Sequence, residues 1–301
     1  MLYSQTDKNF DLVVIGAGFG SLFFIKRVLS KIEDLNIAVV EWGDRLEHMD
    51  QLELGANSNI APADTYSSPL GHKPWNFTIG VGGGLNCWWA QSMRLLPNDF
   101  RMKSKYGVLL DWPYTYDELE PYYLAAEEIM SISGDDAMSL VSPRSEKFPV
   151  RAHRMNSVDE LMIDAVPEHH FPIATARAPI NLPDRGVCCA SAKCHLCPVD
   201  AKFSAFNGMA DVLNHESITW FLNAEAREII HENGRAKGVK FRRKGGERVI
   251  FGDEVLLGAN AIHSPAILLR SGISHPLTGV GLREQVGSEF EVLLDLSLIH
   301  I

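Results

Sequence analysis

The sequence predicts an α/β protein that opens on a dinucleotide-binding unit. Two observations carry this. A β-branched apolar run, Asp11–Ile15, leads into the glycine turn Gly16-Ala17-Gly18-Phe19-Gly20-Ser21. Apolar residues at Leu22, Ile25, Leu29 and Ile32 then recur at helical spacing, before a second apolar run, Ile37–Val40, that ends on Glu41. Strand, glycine turn, helix, strand and acidic residue fall in the order a Rossmann-like unit requires, with the carboxylate about 20 residues after the turn.

Each element has its physical reason. A short β-branched run reads as a buried parallel strand. Gly16 makes the tight turn, and Gly18 lets the backbone approach a pyrophosphate resting on the helix N-terminus, with Phe19 and Gly20 beside it. The third motif glycine is replaced by Ser21, which is still small enough for helix–strand packing. Glu41, followed by Trp42, is placed to grip a ribose hydroxyl. Further on, Arg227–Ile230, Ala236–Arg242 and Arg248–Phe251 read as a small β-meander, with turns at Glu232-Asn233-Gly234 and Lys244-Gly245-Gly246. Glu254–Leu257 reads as a return strand to the main sheet. A helix is expected to follow, with Ser264 as cap and Pro265 at its first position.

Bulk properties narrow the function. The 301 residues are 46% hydrophobic and 22% charged, ordinary for a globular protein. Lys and Arg number 28 against 38 Asp and Glu, a net charge of −10 with no basic block, so nucleic acid is not expected as a partner. The apolar run Leu12–Ile25 is broken by three glycines and falls short of the ~18 residues that span a bilayer, so no transmembrane segment is expected. The start, MLYSQTDKNF, lacks a basic region followed by an apolar one, which makes the expected compartment cytoplasmic.

The stretch GVGGGLNCWWAQSMRLLPNDF, Gly80–Phe100, joins three consecutive glycines to an asparagine and two tryptophans. Glycines permit close backbone approach, and tryptophans need something flat to pack on. This stretch, Asp111–Gly134 and Glu254–Ile273 together resemble the glucose–methanol–choline (GMC) oxidoreductases, in the right order, over residues 11 to about 295. The resemblance implies a Rossmann-like FAD-binding domain with a central parallel sheet and a small β-meander, plus the start of an incomplete substrate-binding domain. It implies oxidation of an alcohol or sugar by hydride transfer to the flavin, with the electron acceptor left open. Gly82, Gly83, Gly84 and Asn86 correspond to the loop that passes the isoalloxazine ring, and Ala226 to the adenine contact; Ala259 joins them at the later motif. Trp88 and Trp89 either wall the site or are core. Some relatives tether the flavin through a histidine where this chain has Cys87, so a histidine linkage is absent and non-covalent binding is expected. The family's catalytic base, a histidine paired with a second histidine or an asparagine, matches nothing here, and no catalytic residue is assigned. Two rival readings are a flavin-binding module without catalysis and an NAD(P) dehydrogenase that shares only the first unit.

Four of the five cysteines, Cys188, Cys189, Cys194 and Cys197, lie within ten residues. Clustered thiolates in a reducing compartment suggest iron–sulfur or zinc; reduced buried thiols are the alternative, and a disulfide a third. The expected division is a first part of the FAD domain at 1–135 and an excursion with the cysteine segment at 136–215. The second FAD part is expected at 216–283, the start of a substrate domain at 284–295 and a non-native tail at 296–301. That tail, LSLIHI, resembles a translated transposon end rather than a domain terminus. The chain is therefore expected to be an N-terminal portion, inactive by itself. Ser133–Pro149 reads as a linker or surface excursion.

Overall fold

Val13, Val14, Ile15 and Ile37–Val40 are at most 1% exposed. Strands buried on both faces require cover on both sides. The computed structural model, which describes residues 4–69 and 74–282, supplies it. β1 (Ser4–Ile15) runs into α1 (Phe19–Leu29), which returns the chain to β2 (Ile37–Val40), parallel to β1. The short helix α2 (Gly84–Cys87) follows. The sheet resumes with β3 (Ile218–Phe221), β4 (Glu225–Glu232), β5 (Arg235–Arg243) and β6 (Gly246–Leu257), and α3 (Asn260–Arg270) comes after it. The order is β3-β2-β1-β6-β5-β4. β3, β2, β1 and β6 are parallel, whereas β5 and β4 continue the sheet antiparallel.

The meander is thus part of the main sheet. The two runs read separately, Arg248–Phe251 and Glu254–Leu257, are one strand, β6. Gly252-Asp253 does not break it, because β1 pairs with it from Arg248 through Leu257, past Phe251 where β5 leaves off. Gly238 faces Phe251 on the antiparallel side, and Phe10 faces Gly252 on the parallel side. One core therefore serves both halves: Phe10, Val13, Phe221, Phe241, Ile250 and Ile267 pack in a single cluster. The start of α3 also differs from expectation. Asn260 Oδ1 accepts from the N–H groups of Ile262 and His263 at 2.8 and 2.9 Å, so the helix begins there and Pro265 lies inside it.

The chain divides into two compact units, one of the described residues up to Trp89 with Ala190–Leu282, the other Ala90–Cys189. The sheet belongs to the first. The second is organised on the helix Tyr116–Met130, opened by a capping box between Thr115 and Glu118. Arg94 is buried in this unit, its guanidinium on both oxygens of Glu127 at 2.7 and 2.9 Å and on Glu120 at 3.0 Å. Burial works against the charge of Arg94, but the hydrogen bonds it donates to Glu127, Tyr116 and Glu120 outweigh it and hold its pKa above the ordinary value. Arg144 meets Glu127 at 2.7 Å and lies over the Phe148 ring. The stretch Ser133–Pro149 is therefore no linker. Ser133 is fully buried and exchanges backbone hydrogen bonds with Thr175, and Tyr116 donates to the Pro143 carbonyl. The segments expected at 284–295 and 296–301 lie outside the described residues.

Candidate functional site

The glycine turn after β1 is held at Gly16 by backbone contacts that leave no room for a side chain. Gly16 has φ +90°, and a Cβ there would stand 2.7 Å from the Gly258 carbonyl oxygen. Gly16 donates to Val40 and Gly258 donates to Ile15, both at 2.8 Å, so the turn is pinned between β2 and the end of β6. α1 starts at once, with Gly18 as N-cap, no side-chain cap and no acidic residue in its first turn. Its first N–H groups and the positive end of its dipole are left for an anion.

The loop before α2 packs on this turn. Gly82 donates to the Ala17 carbonyl at 2.8 Å, and a Cβ on Gly83, whose φ is +48°, would stand 2.8 Å from Gly18 Cα. Two glycine segments thus cross at van der Waals contact. Beside them Glu41 is buried, one carboxylate oxygen accepting from Ala17 N–H at 2.8 Å and the other from Gly43 N–H at 2.9 Å. Burial raises its pKa above the ordinary carboxylate value, against those hydrogen bonds.

Together these segments wall a cavity of about 430 Å³ inside the first unit. Gly16, Gly18, Phe19, Gly20, Glu41, Trp42, Gly83, Gly84, Ala226 and Ala259 line it. Residues not singled out from the sequence complete it, among them Thr65, Phe77, Arg227, His263 and Arg270. His263 stands edge-on to Trp42 and Phe77, with ring centroids 5.5 and 5.6 Å away. Thr65 donates its hydroxyl proton to the Pro62 carbonyl, so the 3.1 Å contact with His263 is a donation from Nε2. Burial, then the Arg270 charge, lowers the His263 pKa. Arg227 and Arg270 bring positive charge, with Arg227 paired to Glu225 at 2.5 Å.

The sequence of this unit and the next has known relatives. A sequence model of the GMC oxidoreductase family matches residues 76–291. The chain belongs to the GMC oxidoreductase family. The fructose dehydrogenase large subunit of Gluconobacter japonicus is 29% identical over 86% of this chain and 54% of its own length. The 6'''-hydroxyparomomycin C oxidase of Streptomyces lividus is 27% identical over 91% of this chain and 52% of its own. Among solved structures, pyridoxine 4-oxidase from Mesorbium loti aligns with a TM-score of 0.58 at 19% identity, over 88% of this chain and 52% of that one. Formate oxidase aligns at 0.56 and 16%, over 89% and 48%. The GMC chain described here thus spans about half the length of the relatives it matches.

Six of the residues singled out do not line the cavity. Ser21 fills the gap between α1 and the end of β6: a Cβ on Gly258 would stand 2.1 Å from its hydroxyl, which has no hydrogen-bond partner among the described residues. Gly82 lies under Asn86, whose amide donates back to the Val81 carbonyl at 2.8 Å. Asn86 Oδ1 is buried and has no hydrogen-bond partner among the described residues. Cys87 has its sulfur 3.9 Å from the Gly84 carbonyl oxygen. Trp88 packs edge-on to Phe19 and donates its indole N–H to Phe203 at 2.9 Å, while Trp89 is half exposed. Sequence spacing placed all of them except Ser21 on one loop, but which of their side chains faces the cavity depends on the turn of α2.

The expected metal centre is not formed. Among the described residues no group of three or more His, Cys, Asp or Glu side chains is placed to hold a metal ion. Cys188 is tied to Ala178 in the second unit, whereas Cys194 and Cys197 belong to the first, with Cys197 sulfur accepting from Ala201 N–H at 3.3 Å. A cation of the protein's own already lies near the thiols. Burial lowers Lys202 to about 8, while Cys87, Cys197, Cys194 and Asp200 act to keep it charged. No described helix is long and apolar enough to cross a membrane.

Proposed function

We propose that this chain is the FAD-binding portion of a GMC oxidoreductase that oxidises a CH–OH group of an alcohol or sugar. The carrying observation is the cavity where the glycine turn after β1 and the loop before α2 cross beside Glu41. The residues fit the cofactor. The free N-terminus of α1 suits a pyrophosphate, the paired glycines suit a close-lying backbone ligand, and the buried Glu41 suits a ribose hydroxyl. Ala226, Trp42 and His263 provide apolar and aromatic surface at the same cavity. When bound, FAD supplies a hydride acceptor; the residues of this chain hold and orient it and keep water away. The relatives whose names include fructose and paromomycin support a sugar or alcohol as substrate.

Binding is non-covalent. Cys87 is not among the cavity-lining residues, and no histidine occupies its position. Acid precipitation of the purified yellow protein is expected to release the chromophore into the supernatant. Colour that stays on the peptide and disappears in Cys87→Ala would overturn this. The chain by itself is proposed to turn over no alcohol: no residue of the cavity wall is assigned as a base, and His263 donates to Thr65 and packs against the Trp42 and Phe77 rings. Anaerobic addition of simple alcohols and hexoses should leave the flavin absorbance unbleached; bleaching would show a base within reach. Iron and zinc in the purified protein are expected to be substoichiometric, with Lys202 serving as the cation near the thiols.

A further inference from the structure

Lys202 is 4% exposed and belongs to no motif used above. Its ammonium donates to the carbonyl oxygens of Asn86 at 2.5 Å and Trp88 at 3.1 Å, the two residues that flank Cys87 at the end of α2. The neighbouring residue returns the grip, because the Trp88 indole donates to the Phe203 carbonyl. The backbone of 202–203 and that of 86–88 are therefore clamped in both directions. Asn57 adds a second donor to the Asn86 carbonyl at 3.2 Å and also donates to the His195 carbonyl at 3.1 Å. The clamp is itself anchored: Asn207 donates to the Lys202 carbonyl at 2.8 Å and to Asp200 at 2.9 Å.

We infer that Lys202 is a positioning residue for the cofactor cavity, acting through the loop that carries Gly83 and Gly84. α2 is a single turn with no side-chain cap, too short to hold its own position. Its last carbonyls need donors, and the bond from Lys202 to the Asn86 carbonyl is buried. With Lys202 in place, the loop is pressed on the Gly16–Gly18 turn and the cavity wall keeps its shape. Without it, the Asn86 and Trp88 carbonyls lose their charged donor and the loop lifts. The inference rests on the proposed flavin site, and its test separates the two.

The 301-residue protein is compared with Lys202→Met by amide hydrogen exchange without cofactor and by FAD titration. Exchange in Gly82–Trp88 is expected to quicken roughly tenfold or more, the loss of a charge-assisted hydrogen bond, with Val13–Ile15 and Ile37–Val40 unchanged. FAD affinity should weaken by a similar factor. Lys202→Ala should regain affinity with millimolar ethylammonium and not with tetramethylammonium, a rescue that a merely space-filling lysine would not show. Asn57→Ser, which removes the other donor, should shift both readouts less in the same direction and serves if Lys202→Met does not fold. Unchanged loop exchange, uniform acceleration across β1 and β2, or affinity untouched by the substitutions overturns the inference. Wild-type protein that binds no FAD while its loop still responds to Lys202 would instead defeat the flavin reading and leave a clamp without a cofactor role.

Discussion

Gly83 and Gly18 touch, yet they are glycine for different reasons. A Cβ at Gly83 would strike Gly18 Cα on a backbone already at φ +48°, whereas a Cβ at Gly18 meets nothing within 4 Å. Gly83→Ala is therefore expected to cost about 2–3 kcal/mol of stability through strain and displaced backbone. Gly18→Ala should change stability by less than about 1 kcal/mol and still weaken FAD binding, because its methyl enters the cavity. Urea unfolding without cofactor, beside FAD titration, tells the two apart. Glu41 gives a pH signature. Its folded pKa is raised above the ordinary 4.5, so its stabilising contribution is full below the unfolded pKa and is lost as pH rises through the folded value. The apo stability of the wild type relative to Glu41→Gln should fall as pH rises above 4.5 and then level off. A pH-independent difference in unfolding midpoints would reject that account.

The elements respond as units. α3 takes its start from Asn260, not from Ser264, since the Asn260 side chain satisfies two of the first N–H groups. Asn260→Ala is expected to lower stability by about 1 kcal/mol, and Ser264→Ala by a few tenths at most, in matched thermal or urea melts. In the second unit, Glu127 neutralises Arg94 and Arg144, all three side chains at most 5% exposed. Glu127→Ala leaves two buried guanidiniums without their shared carboxylate and should cost about 3–5 kcal/mol. The same variant should leave the sheet of the first unit protected in hydrogen exchange, since the network lies wholly within the second.

For the whole chain, the fold gathers one cavity from segments 240 residues apart in sequence, between Gly18 and Gly258. A ligand that bridges them stabilises the folded state by mass action. FAD at 100 times its dissociation constant should add about 2.7 kcal/mol and raise the melting temperature accordingly. A melting curve that ignores FAD at any concentration would contradict the assignment of the cavity.

The sequence by itself determined the opening strand, turn, helix and second strand, because these depend on residues within a few positions of one another. Glycine at a positive φ and β-branched runs buried on both faces are local constraints, and Gly16, Gly18 and Glu41, which they single out, line the cavity. The family resemblance extended this to Gly83, Gly84, Ala226 and Ala259. Only the tertiary structure decided the rest. That Arg248–Leu257 is one strand follows from β1 pairing along its whole length, beyond the point where β5 ends, a pairing between residues far apart in the chain. That Asn86 turns into its own loop, and that Lys202 lies near the thiols, follows from where residues 202–203 meet 86–88. Those contacts join stretches more than a hundred residues apart, and no periodicity or spacing in either stretch encodes the other's position.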